Sequence, residues 1–208
     1  MSDPQAILNP GCCYHLFNHA VGKDNLFERE NDYLYFLRKL KEHICPVTDV
    51  LSYCLLPNHF HLVIRIKTQL EIEEFLKLKM DACKFDKGKE ENEYFLSSQI
   101  SKSFSNLFTA YAKHYNFWKG RTGTLFKRTF RRKEINDSGY LIRLICYVHQ
   151  NPVTAGFVEQ PQDWKYSSYS AVLGLKATLV LRNEVIELFG DLENLRYCHE
   201  KNKGIAIV

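Results

Sequence analysis

Residues 59–66 alternate. Phe60, Leu62, Ile64 and Ile66 fall on one side of an extended chain, and His59, His61, Val63 and Arg65 on the other. The first set is a core face, so the segment "HFHLVIRIK" reads as a strand. A second β-branched run, "VTDVLSYCLL", precedes it across the dipeptide "PN", and the two form a hairpin. Upstream, "GCCYHLFNHAVGKD" reads as a strand ending in a Gly turn. It is followed by "ENDYLYFLRKLKEHIC", with Tyr33, Phe36, Leu37, Leu40 and Ile44 at helical spacing before Pro46 stops the run. A helix is expected from Leu70 to about Ala82, then a charged loop at about 84–96. A longer helix through Ile100, Phe104, Leu107, Phe108, Tyr111 and Tyr115 comes next. "GTLFKRTFRRKEI" is strand-like, and "NDSGYLIRLICYVHQNP" is a helix with Asp137 or Ser138 as N-cap and Pro152 as its stop.

The order β-α-β-β-α-β-α predicts an α+β fold. It is the split βαβ of a ferredoxin-like or RRM-like α/β sandwich, with one antiparallel sheet and helices on one face. Residues 1–174 form the domain, and 175–208 are an extension whose short helix "RNEVIELFGD" has no evident role. The histidines must then lie on the side without helices.

Composition changes this picture little. With 208 residues, 45% hydrophobic and 25% charged, the chain is ordinary for a globular domain. The absence of a long apolar run or a leader-like N-terminus favours the cytoplasm. Seven cysteines without regular spacing fit reduced, inert side chains better than a disulfide framework. Charge adds more. Between Lys119 and Lys133 stand seven Lys or Arg and no acid, while the rest of the chain carries more acids than bases. That excess suggests a polyanionic partner.

Chemistry enters with the histidine pair. Side chains two residues apart on a strand start about 7 Å apart. At that distance two imidazoles can reach one ion with bonds of about 2.1 Å. Eight histidines in 208 residues make such a pair easy to meet by chance. A second feature lies in "LIRLICYVHQNPV", where Tyr147 and Asn151 are four apart and share a helix face opposite Leu141, Leu144, Ile145 and Val148. A tyrosine oxygen can attack phosphorus and can later leave, given activation of a hydroxyl whose free pKa is about 10. The Asn151 amide oxygen is a candidate third ligand. No phosphate loop for a nucleotide is found.

Together, "YCLLPNHFHLVIRIK", "GRTGTLFKRTFRRKEI", "LIRLICYVHQNPVTAGFV" and "DWKYSSYSAV" resemble the HUH-superfamily single-tyrosine transposases, over about Tyr14 to Leu173. Asn151 stands where the insertion-sequence enzymes carry glutamine and the REP-associated tyrosine transposases asparagine, which places the resemblance nearest the second branch. The resemblance implies a metal-dependent endonuclease and strand transferase for single-stranded DNA with hairpin-forming ends. His59, His61 and Asn151 would be ligands of Mg²⁺ or Mn²⁺, and Tyr147 the nucleophile. Lys119, Arg121, Lys127, Arg128, Arg131 and Arg132 are expected on the DNA. Insertion-sequence members exchange helices in dimers and REP-associated members can act alone, so both states stay open, as does a domesticated, nucleoid-associated role. The rival readings are an RRM-like module that binds single strands without cutting them, and a zinc hydrolase.

Overall fold

A computed structural model describes residues 7–79, 93–127 and 130–202. Four strands form one antiparallel sheet: β1 (Cys13–His19), β2 (Thr48–Leu56), β3 (His59–Ile66) and β4 (Arg131–Ile135), in the order β2-β3-β1-β4. That is the split βαβ arrangement, because β3 lies between β2 and β1, and β1 between β3 and β4. The expected α+β class is the one observed.

The sheet's core face carries Tyr14, Leu16, Phe60, Leu62 and Ile64, all buried. Two helices cover it, α1 (Glu30–His43) and α3 (Glu93–Lys119), which also pack on each other. The contact is aromatic: Phe36 of α1 lies 5.2 Å, centroid to centroid, from Phe60, and Phe108 of α3 lies 5.9 Å from it. Large rings buried this way dominate core energetics, and Phe36→Ala would cost about 3–5 kcal/mol. Asp32 is buried in the first turn of α1 and accepts the backbone N–H groups of Glu28 and Arg29. It also pairs with the Arg29 guanidinium at 2.8 Å, so its charge is satisfied.

The second face differs from expectation. It is covered by α4 (Ser138–Thr154), which packs against β2 and β3. The physical reason is in α4 itself. Leu144, Ile145 and Val148 are apolar and need a surface, and the histidine side of the sheet supplies one through the buried Cys54 and Val63. His61 is accordingly 6% exposed rather than open to solvent. Asp137 is the N-cap of α4, accepting Tyr140 N–H at 2.6 Å. Pro152 does not stop α4; it sits in the last turn, where only one hydrogen bond is forfeited, and Phe157 N–H closes onto its carbonyl.

Helix α2 runs Gln69–Lys79. The loop expected at about 84–96 falls mostly outside the described residues, and its last residues already belong to α3. The basic segment is a strand only from Arg131, with an isolated bridge between Ala20 and Phe126 before it. Three short helices, α5 (Tyr169–Leu173), α6 (Arg182–Leu188) and α7 (Leu192–Lys201), follow α4. Val180 bridges to Val50 beside the bulge in β2, covering part of that edge. Among the described residues no helix is long and apolar enough to cross a membrane.

Candidate active site

Strand alternation places His59 and His61 on the face covered by α4, and the register adds partners from β1. His19 stands opposite His59, Phe17 opposite His61 and His15 opposite Val63. Four imidazoles therefore occupy one patch of two neighbouring strands. His19 stacks on His59 with centroids 4.8 Å apart, and His15 stacks on His61 at 5.1 Å. Sequence reasoning missed His15 and His19. The signal was present in "HLFNH", whose alternate residues share a face just as those of "HFH" do.

Tyr147 comes to this patch from α4. Its ring meets His61 edge-to-face with centroids 5.5 Å apart. Asn151, one turn on and 8% exposed, lies beside the His59 side chain. The structure thus brings Tyr147, His59, His61 and Asn151 together from elements far apart in sequence. Three other tyrosines lie elsewhere. Tyr111 donates to the Leu26 carbonyl and Tyr115 to Glu28 Oε1, both on the core side of the sheet, and burial pushes both phenols well above their ordinary range. Tyr140 sits under the ammonium of Lys133, 4.8 Å from the ring centroid.

Burial keeps the imidazoles neutral. It pushes His15 and His59 down to about 4, with Lys133 adding to the first and His19 to the second, and it holds His61 well below the ordinary histidine range. Burial, then Lys127 and Arg131, lowers His19 in the same direction. Neutral imidazoles keep a lone pair for a cation.

The outer hydrogen bonds also suit that use. His59 Nδ1 lies 2.7 Å from Asn58 Oδ1, which can only accept, so the proton is on Nδ1 and the lone pair on Nε2. His61 Nδ1 lies 2.9 Å from His15 Nε2; with His61 donating, its Nε2 is likewise left bare. Metal-binding histidines are commonly held by a bond to the other ring nitrogen. No group of three or more His, Cys, Asp or Glu suited to a metal occurs among the described residues. The donors gathered beside Tyr147 are the His59 and His61 imidazoles and the Asn151 side-chain amide, nitrogen and oxygen ligands compatible with a divalent cation.

The basic residues divide. Lys119 is paired with Glu28 at 2.6 Å and Arg121 with Asp24 at 3.2 Å. Arg131 projects on the histidine face, in register with Phe17 and His61, while Arg132 pairs with Leu16 on the core face and lies against Phe130. Lys127 is tied to β1 by its backbone N–H, which donates to the His19 carbonyl at 2.9 Å. Arg128 lies outside the described residues.

No family model matches the chain. Over 140 residues it is 24% identical to a Haemophilus influenzae protein named for the REP-associated tyrosine transposases, covering 66% of this chain and 69% of that one. Its fold resembles the solved structure of a REP-associated tyrosine transposase bound to a REP hairpin. The TM-score is 0.52 at 15% identity, over 83% of this chain and 86% of the other. The chain is thus similar in sequence to the REP-associated tyrosine transposases of the HUH superfamily, and it shares their fold.

Proposed function

We propose that this chain is a DNA transposase, or a nuclease descended from one, that cleaves and rejoins single-stranded DNA with hairpin-forming ends. The observation that carries the reading is the contact between His61 on β3 and Tyr147 on α4. It joins a neutral histidine pair to a phenol, with an amide donor one helical turn away.

Tyr147 is the nucleophile. Its oxygen bonds to the scissile phosphorus as the bond from phosphorus to the 3′-oxygen breaks. The phenolic proton passes to solvent, and the departing oxygen takes up a proton to become a 3′-OH. The 5′-phosphate stays on Tyr147, so the bond energy is retained without a nucleotide cofactor. A second 3′-OH then attacks that phosphorus and the phenol leaves, restoring Tyr147. Mg²⁺ or Mn²⁺ held by His59, His61 and Asn151 would polarise the phosphate and stabilise charge on the leaving oxygen. Through its bond to His61, His15 fixes the ring's orientation, and Asn58 does the same for His59.

The test is incubation of the full chain with single strands from the DNA flanking its own gene, followed by a denaturing gel. A covalent adduct is expected with Mg²⁺ or Mn²⁺ and lost in EDTA. An undiminished adduct in excess EDTA would overturn the metal assignment. Tight binding with no adduct would favour the rival module that holds single strands without cutting them.

A further inference from the structure

At the open end of the histidine face, Phe17, Asn18, His19, Lys127 and Arg131 line a cavity of about 170 Å³. Its wall is fixed by a short circuit of hydrogen bonds. The buried Asn18 donates from Nδ2 to the Lys127 carbonyl at 3.2 Å and accepts His19 N–H on Oδ1 at 2.8 Å. Lys127 N–H donates back to the His19 carbonyl. The backbone carrying Lys127 is therefore held against β1 even though its side chain is exposed, which lowers the ordering cost of any ligand it meets. On the opposite side, Arg131 is paired in register with Phe17.

The charge here is unbalanced. Lys119, Arg121, Arg65 and Lys165 each have a carboxylate partner. Among the described residues, neither Lys127 nor Arg131 forms an ion pair, and no carboxylate lines the cavity. A small anion would satisfy the two cations, and the half-buried Phe17 ring, which packs on His15 and His61, adds an aromatic wall to the same cavity. An aromatic wall beside two unneutralised cations suits a planar ring that carries a phosphate. The cavity also adjoins the site already described: Phe17 lies 5.8 Å from His61, and His19 stacks on His59.

We propose that this cavity is a subsite for one nucleotide of the single strand beside the scissile phosphodiester, with its base against Phe17 and its phosphate between Lys127 and Arg131. The subsite rests on the single-stranded DNA reading and gives it a protein-read position, independent of which residue is the nucleophile.

An abasic scan tests it. The full chain is titrated with a labelled single strand from the flanking DNA, and with the same strand carrying one abasic site at each position in turn. One position is expected to weaken binding about tenfold, within the range for loss of one base–aromatic stack. Phe17→Leu should bind the intact strand about as weakly and show no further loss at that position. Phe17→Tyr, which keeps the ring, should restore the wild-type profile, and thermal melts exclude misfolding as the cause. Lys127→Gln with Arg131→Gln should weaken every strand alike. Equal abasic penalties in wild type and Phe17→Leu, or a flat scan in a chain that binds single strands, would overturn the subsite alone. No binding of single strands by the wild type would overturn both the subsite and the DNA reading.

Discussion

At the scale of single residues, His59 and His61 have the same sequence spacing but different surroundings. His59 is partly exposed beside the His59–Asn58 bond, whereas His61 is enclosed by His15, Phe17 and Tyr147. His61→Ala leaves His15 Nε2 without its partner and opens a void, at a cost of about 1–3 kcal/mol. His59→Ala should cost less, and both should lose cleavage while retaining DNA binding. Urea melts beside a cleavage assay check the pair; equal stability in the two variants would contradict the burial argument. The pair itself was legible, because alternation alone places both rings on one face. Its enclosure was not, since His15 and His61 meet only when strands 46 residues apart align.

At the scale of elements, α4 is held from behind by the end of the chain. His149, fully buried, bonds through Nε2 to Ser168 Oγ at 2.7 Å and through Nδ1 to His199 Nε2 of α7 at 2.8 Å. Gln150 Nε2 donates to the His199 carbonyl at 3.0 Å. Burial depresses both imidazoles, His199 to about 4 and His149 well below the ordinary histidine range. Their folded-state values lie below the unfolded value of about 6.5, so the unfolded chain binds more protons in that interval. The contribution of His199 to stability is therefore full above about pH 6.5 and lost as pH falls toward 4. Thermal melts at pH 7.5 and 5 should show a lower midpoint in acid, and His199→Leu should remove part of that difference. An unchanged slope in the variant would mean that other groups set it. The first three strands and α1 were legible from extended and 3.6-residue patterning, whereas the expected strand over 123–135 is one only from Arg131. The placement of α4 was not. Its apolar stripe shows that it packs, and the choice of sheet face is set by the path of the chain after β4.

At the scale of the whole molecule, the basic excess between Lys119 and Lys133 is less uniform in space than in sequence. Carboxylates from residues 24 and 28 neutralise Arg121 and Lys119, a tertiary pairing that no local charge count reveals. Lys119→Gln with Arg121→Gln should leave the salt dependence of single-strand binding nearly unchanged. Lys127→Gln with Arg131→Gln should reduce the log–log slope by about 0.7 for each phosphate no longer neutralised. Binding isotherms across a salt series separate the two pairs, and equal slopes in both double variants would contradict this division.

The central claim is that two strands and one helix converge to make Tyr147 the residue that takes the DNA. The most direct measurement is digestion of a trapped protein–DNA adduct and mass spectrometry of the linked peptide, with Tyr147→Phe run in parallel. That substitution removes one oxygen and keeps the ring against His61, so the fold should be unchanged while cleavage and adduct both vanish. A nucleotide is expected on the peptide that contains Tyr147. An adduct on Tyr140, or a Tyr147→Phe chain that still cleaves and links DNA, would contradict it.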